Sequence, residues 1–398
     1  MKLIHARLID GTGAPPQADV TLMFDRRITA ITPGPATADP GDGATLDVAG
    51  RTVIPGLINA HTHITLDDRA PDAMKTLRDE PPAALAIRAA GRARRMLEAG
   101  ITTARDLGAP GHIDLAVRDL IRGGEIPGPR LLCAGLVITM TGGHGWPLGR
   151  ECDGPDEVRK AVREQLKAGV DVVKFMATGG VLTPGVEPGA AQLDEDELRA
   201  GIAEAHKADR RTATHAQGTA GIKAALRAGI DTVEHGIFLD AEAIALLRDR
   251  EVVFVPTLAA PYQIAQAGAA KGIPAFVLDK NDRIIEAHRQ SVRAACEAGI
   301  IMAAGNDGGT PFNPVDDLVT EIRLLAENGL APLEALQAAT LGSARALGLE
   351  DEVGTLLPGR AADLVVLDGD PLADLSAVDR IWCVIQAGRV VYRRELDA

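Results

Sequence analysis

The sequence is poor in aromatic residues and cysteine and has no long apolar runs. Aromatics make up 3% of the 398 residues, so the apolar fraction of 46% must pack chiefly as Ala, Leu, Val and Ile. The four cysteines, Cys133, Cys152, Cys296 and Cys383, lie far apart and show no Cys-x-x-Cys spacing. That pattern argues against a disulfide framework or a structural zinc cluster. They are read as free thiols in a reducing compartment, mostly buried as small apolar groups. No apolar run reaches the roughly 18 residues that span a bilayer. The opening "MKLIHARLIDGTG" lacks the apolar core of a signal peptide, and a cytoplasmic enzyme is expected. Basic residues are in deficit, 42 Lys and Arg against 55 Asp and Glu, for a net charge of −13. Nucleic acid and anionic membrane surfaces are therefore not expected partners.

Histidine is also scarce, with nine in the chain, yet "NAHTHI" places His61 and His63 two apart. On a strand, alternate side chains share a face. Two imidazoles side by side repel when protonated, and a cation between them would explain the pairing.

The stretch to about Val53 alternates short β-like runs ("KLIHARLI", "DVTLMF", "RITAI") with Gly, Pro and Asp turns. The last stretch, with "ADLVVLDGDPL" and "RIWCVIQAGRVVYR", reads similarly. Between them, short apolar strands alternate with amphipathic helices such as "AALAIRAAGRARRMLEAG" and "DEDELRAGIAEAHKADR". Eight strand candidates can be counted: "VIPGLINAHTH", "GITTARDLG", "RLLCAGLVIT", "DVVKFMATGG", "RTATHAQG", "DTVEHGIF", "VVFVPTLAA" and "IIMAAGNDGG". The expected fold is α/β, a (β/α)8 TIM-like barrel over 54–349. A small β-sandwich built from residues 1–53 and 350–398 is expected beside it.

In such barrels the active site lies at the C-terminal strand ends. There the first strand carries His61 and His63, the fourth Lys174, the fifth His215, the sixth His235 and the eighth Asp307. Taken alone, a buried histidine is ordinarily a hydrogen-bonded core residue, and "GNDGG" reads as a turn. Taken together at one rim, the six form a candidate metal site. Lys174 lies in the apolar run "DVVKFMATGG", where a buried ammonium must pair, lose its proton or be modified. A Schiff-base lysine, as in barrel aldolases, is one reading. A carboxylated lysine bridging two metals is the other, and the surrounding histidines favour it.

The motifs "VIPGLINAHTH", "GITTARDLG", "VKFMATGG", "VEHG" and "GTLLPGRAADLVVLDGDPL" resemble those of the amidohydrolase superfamily. Within it, the chain resembles the branch of imidazolonepropionase-like enzymes, Xaa-Pro and Xaa-Arg dipeptidases and ochratoxin-hydrolysing enzymes. The resemblance spans essentially the whole chain. It implies two divalent metals, with zinc the first expectation, although the donor set also suits manganese or iron. His61, His63 and Asp307 would hold one ion and His215 and His235 the other, bridged by carboxylated Lys174 and a hydroxide. That hydroxide would attack an amide carbonyl, with Asp307 taking its proton and returning it to the leaving amine. His144, in "TMTGGHGWPLGR", would steady the tetrahedral intermediate.

The expected reaction is hydrolysis of a peptide-like amide in a dipeptide or N-acyl amino acid, with ochratoxin-type amides among the candidates, by a homo-oligomer. Cyclic-amide hydrolysis, as in imidazolonepropionase, is the alternative, and Lys174 weighs against it. A non-catalytic scaffold of the same fold is disfavoured because every ligand position is filled. The Gly/Pro-rich loop "GGVLTPGVEPGAAQL" is a candidate cover for the pocket, and Tyr262 a candidate substrate contact. Arg105 is expected to pair with Asp106 or, secondarily, to bind a substrate carboxylate. His5, His112, His206 and His288 are assigned no role. Two positions depart from the branch pattern, Gln217 where a second histidine is common and Asn306 where a small hydroxyl residue is.

Overall fold

The computed structural model describes residues 1–34 and 44–394; the parts of the expected terminal domain at 35–43 and 395–398 lie outside them. The N-terminal strands are β1 (Lys2–Leu8), β2 (Gln17–Phe24), β3 (Ile28–Pro33), β4 (Thr45–Asp47) and β5 (Thr52–Pro55). The central strands are β6 (Leu57–Thr62), β7 (Ile101–Asp106), β8 (Arg130–Cys133), β9 (Val137–Thr139), β10 (Gly149–Glu151), β11 (Val172–Met176), β12 (Arg211–Ala216), β13 (Thr232–His235) and β14 (Val253–Val255). At the C-terminus come β15 (Leu364–Leu367), β16 (Ile381–Gln386) and β17 (Arg389–Arg393).

The two ends of the chain meet in one sheet of order β17-β16-β15-β5-β1-β2-β3, with β4 beside β1. The seam is the antiparallel pair β5–β15, where Val53 faces Val366. The first central strand candidate is divided at Gly56: β5 belongs to the terminal sheet, while β6 pairs in parallel with β7. A Cβ at Gly56 would lie 2.1 Å from Thr102 Oγ1, so the crossing between sheets requires glycine there.

The central strands pair in parallel as β6-β7-β8 and as β10-β9-β11-β12-β13-β14. β11 is buried throughout, as expected of a parallel strand covered by helices on its outer face. Two strand candidates are less regular than expected. "RLLCAGLVIT" breaks into β8 and β9 at Gly135, which takes φ +63°. The run 300–309 is bound only at points. Met302 bridges to Phe254 and Gly308 to Thr62, and Asp307 N–H donates to the His61 carbonyl at 2.9 Å. Asp307 itself has φ +54°, which interrupts extended backbone.

The helices between strands carry their own stop and start signals. Pro155–Ala168 begins with proline and two acids and ends at Gly169, φ +90°, following the usual asymmetry of helix termini. Glu195–His206 opens on a reciprocal capping box between Asp194 and Glu197. The core is aliphatic and alanine-rich, as the composition requires.

Candidate active site

Parallel register sets the site. In β11 and β12, Lys174 lies beside Ala213 and Met176 beside His215; in β12 and β13, Ala216 lies beside His235. The segment after Met302 runs beside β6, and Gly305 allows the close approach: a Cβ there would lie 2.7 Å from the His61 backbone nitrogen. Asn59 Nδ2 donates to Asn306 Oδ1 at 2.8 Å, and Asn306 Nδ2 donates to the Pro314 carbonyl at 2.8 Å. Asn306 thus ties the Asp307 segment to the "HTH" strand.

One cavity is lined by His61, His63, Lys174, His215, His235 and Asp307, with His144 beside them. Ligand-capable atoms of His61, His63 and Asp307 lie within 4.8 Å of one another. The Nε2 atoms of His61 and His63 are 3.4 and 3.3 Å from Asp307 Oδ1. The rings of His215 and His235 are 4.4 Å apart, and that of His235 is 5.2 Å from His61.

Each imidazole has one nitrogen engaged by the surrounding protein. His61 Nδ1 meets Glu234 Oε2 at 2.8 Å, and His63 Nδ1 meets the Gly108 carbonyl at 3.2 Å. His215 Nε2 meets the Gly179 carbonyl at 3.0 Å. His235 Nδ1 meets Thr257 Oγ1 at 2.6 Å, and that hydroxyl donates to the Pro256 carbonyl, so toward the ring it can only accept. These partners assign the proton to the engaged nitrogen and leave a lone pair on the other, the tautomer that metal-binding histidines need. His235 and Thr257 hold their positions at φ +70° and +59°. Such backbone is costly for a β-branched threonine and is typical of functional positions. This donor set fits divalent metal.

Electrostatics agree with neutral imidazoles. Burial, reinforced by Lys174 and a neighbouring histidine, drives His61 well below the usual histidine range. Burial likewise dominates at His215 and His235. His63 differs: burial disfavours its charge, but the hydrogen bond and charge of Asp307 outweigh it and raise the pKa. Lys174 is 1% exposed, and burial brings its ammonium down to about 8, against the pull of Glu234 and Asp307. An amine so placed is a better nucleophile toward CO2 than a surface lysine.

His144 is buried, its ring 4.3 Å from that of His215. Its Nδ1 meets Thr183 Oγ1 at 2.9 Å, and the same hydroxyl accepts from Gly145 N–H. The Thr183 hydrogen is then free to go to Nδ1, which leaves Nε2–H as the donor of the ring. Thr183 belongs to the loop after β11, whose Val181 and Leu182 line the cavity.

Several residues fall elsewhere than expected. Arg105 does not pair with Asp106, because neighbours on a strand face opposite sides. It donates to Glu234 Oε1 at 2.9 Å and to the Ala60 carbonyl at 2.7 Å, sealed from solvent and substrate alike. Asp106 instead accepts from Ile64 N–H and Gly108 N–H. Tyr262 packs against the core; its neighbours Ala260, Pro261 and Ile264 form the cavity wall. His288 and Asn281, neither expected at the site, line the cavity from the helix Ala275–Glu297. Burial takes His288 down to about 4, so it too is neutral. Their signal in the sequence is two polar residues on the buried stripe of an amphipathic helix.

Residues 52–391 match the family model described as the amidohydrolase family. The chain belongs to the amidohydrolase family. Within it, the chain is 30% identical over 363 residues to ochratoxinase of Aspergillus niger, covering 83% of this chain and 74% of that protein. It is 30% identical over 390 residues to imidazolonepropionase of Micrococcus luteus, covering 89% and 88%. Among solved structures, a prolidase complexed with N-methylphosphonate-L-proline superposes with a TM-score of 0.91 at 31% identity, covering 99% of each chain. This amidohydrolase is therefore a hydrolase of the branch that holds ochratoxinase, prolidase and imidazolonepropionase. Among its described residues, no helix is long and apolar enough to cross a membrane.

Proposed function

We propose that the protein is a binuclear metal-dependent hydrolase that cleaves the peptide-like amide of a dipeptide or N-acyl amino acid. The observation that carries this reading is the set of four buried imidazoles, each with its outer nitrogen engaged, around Lys174 and Asp307. The likeness to a prolidase and an ochratoxinase supports an amide substrate.

His61, His63 and Asp307 would hold one divalent ion and His215 and His235 a second, with carboxylated Lys174 as a further ligand. Zinc suits such nitrogen and oxygen donors. When bound, the ions polarise the scissile carbonyl and lower the pKa of water to about 7. Asp307 takes a proton from the water that attacks the carbonyl carbon. It returns that proton to the amine nitrogen as the C–N bond breaks, so the products are a carboxylate and an amine. His144 donates from Nε2–H to the carbonyl oxygen as negative charge gathers there. The apolar walls exclude water from the reacting bond.

For the fold we propose that the parallel strands close into a (β/α)8 barrel from about Gly56 to 349. The bridges of the 300–309 segment to both β14 and β6 support that closure. The terminal segments would form a composite domain beside the barrel.

The test is hydrolysis of dipeptides and N-acyl amino acids by metal-loaded protein, before and after removal of metal by a chelator. Release of amino acid that disappears on chelation and returns with zinc is the expected result. Turnover indifferent to chelation would overturn the proposal.

A further inference from the structure

The helix Ala275–Glu297 turns an unusual face inward. Its buried positions include Val277, Asn281, Ile284, His288 and Val292, a single stripe in steps of three and four. Such a stripe ordinarily carries apolar side chains. Here Asn281 is 0% and His288 1% exposed, and Gln217, just past β12, is 5% exposed. All three line the cavity that holds the metal-site histidines.

Four of their side-chain polar atoms lack partners. Gln217 Oε1, Asn281 Oδ1 and both ring nitrogens of His288 are buried and meet no hydrogen-bond partner within the protein. The carbonyls of Pro256 and His235 lie toward the His288 ring without reaching hydrogen-bond geometry. Unpaired buried polar groups cost stability, so three around one cavity need an explanation. They are also held in place. Asn281 Nδ2 donates to the Pro261 carbonyl at 3.0 Å, which fixes where Oδ1 points. Lys280 Nζ donates to the Thr183 and Val186 carbonyls, and Ser291 Oγ to the Ile237 carbonyl. The helix is clamped on either side of the stripe.

The lining also restricts charge. Among the described residues, Lys174 is the one ammonium and Asp307 the one carboxylate lining the cavity, and both belong to the metal site. A charged substrate side chain would be desolvated with no counter-charge of its own. A neutral carboxamide offers two N–H donors and one carbonyl acceptor. Gln217 Oε1 and Asn281 Oδ1 can accept, and a neutral imidazole at His288 can donate.

We infer that Gln217, Asn281 and His288 form a specificity subsite for an uncharged carboxamide carried beside the scissile bond. Ile237, Ile264 and Ile284 of the same cavity take the attached methylenes. The placement beside a scissile bond rests on the function proposed above; the binding subsite does not.

The experiment is calorimetric titration of the metal-loaded protein with free L-asparagine, L-aspartate and L-leucine, which are near-isosteric and contain no bond between residues to cleave. Asparagine is expected to bind about tenfold tighter than either, since a site built to hydrogen-bond rejects analogues that cannot satisfy it. Asn281→Leu and His288→Phe, confirmed folded by circular dichroism and with metal content retained, should abolish that preference. Gln217→Leu, outside the helix, serves the same purpose where a helix variant fails to fold. Equal or tighter binding of leucine or aspartate, or folded variants that keep the preference, overturns the subsite. Because binding is read without turnover, failure to hydrolyse amides would count against the proposed function and not against this inference.

Discussion

His61 Nδ1 lies 2.8 Å from Glu234 Oε2, and both side chains are closed off from solvent. The carboxylate continues to Arg105 Nη2 at 2.9 Å and accepts from Thr232 Oγ1 at 2.6 Å. An arginine, a glutamate and a histidine thus form a buried line that ends on the outer nitrogen of His61, Nδ1. Glu234 sets the tautomer of His61 and balances Arg105 at once.

Glu234→Gln should therefore act on two properties. Metal affinity should fall about 10–100-fold, the usual result of losing the partner of a metal-binding histidine. Stability should fall by about 3–5 kcal/mol, because Arg105 is left buried without its counter-charge. Competition with a fluorescent chelator and urea unfolding read the two separately. A variant unchanged in both would show that the line has no such role.

Asp307→Asn preserves shape and an oxygen donor but removes the proton acceptor. Turnover of a cleavable dipeptide is expected to fall by about 10²–10⁴-fold, with most of the metal retained by elemental analysis. Activity near that of the wild type would remove Asp307 from the proton path.

Lys174 separates carbamate from Schiff-base chemistry. Protein equilibrated with 13C-bicarbonate and zinc should show a carbamate carbon resonance that is absent from Lys174→Ala. Borohydride in the presence of a carbonyl substrate should trap no adduct. A trapped adduct at Lys174 would favour the aldolase reading instead.

Glu321 predicts a pH dependence of stability. Its Oε2 accepts from Ala259 N–H at 2.7 Å, while Oε1 is buried and unpaired. Burial, opposed by backbone hydrogen bonds, pushes the carboxyl up to about 8 from the usual 4.5. The folded state therefore binds this proton more tightly than the unfolded state. Its contribution is fully present below pH 4.5 and is lost as pH rises through about 8. The melting temperature should decline between pH 5 and 9, and Glu321→Gln should flatten that decline. A variant whose Tm falls in parallel with the wild type would contradict this.

The metal-site candidates were readable because strand ends display them in short local patterns, "HTH", "VKFM" and "VEHG". Extended alternation at the end of β6 and the residue after it is expected to put His61 and His63 on one face with no knowledge of the rest of the chain. Glu234 was not readable as a partner of His61, since the contact joins β6 to β13, 173 residues apart. The expected pairing of Arg105 with Asp106 fails for a different reason: sequence adjacency suggests a pair that strand geometry forbids. His288 and Asn281 were hidden differently. Their helix follows β14 after a second helix, Ala259–Ala267, and the stripe Val277, Ile284, Val292 reads as core. The polar interruptions of that stripe were the available clue. The third strand candidate breaks at Gly135 and the eighth leaves extended backbone at Asp307, both at positive φ, which apolar patterning does not encode.

The most direct test of the central claim is elemental analysis of the purified protein paired with dipeptide hydrolysis, followed through chelation and stepwise return of zinc. The account predicts activity that rises with metal and levels off at two ions per chain. Full turnover with metal far below stoichiometric amounts, or two bound ions with no amide hydrolysed across the panel, would contradict it.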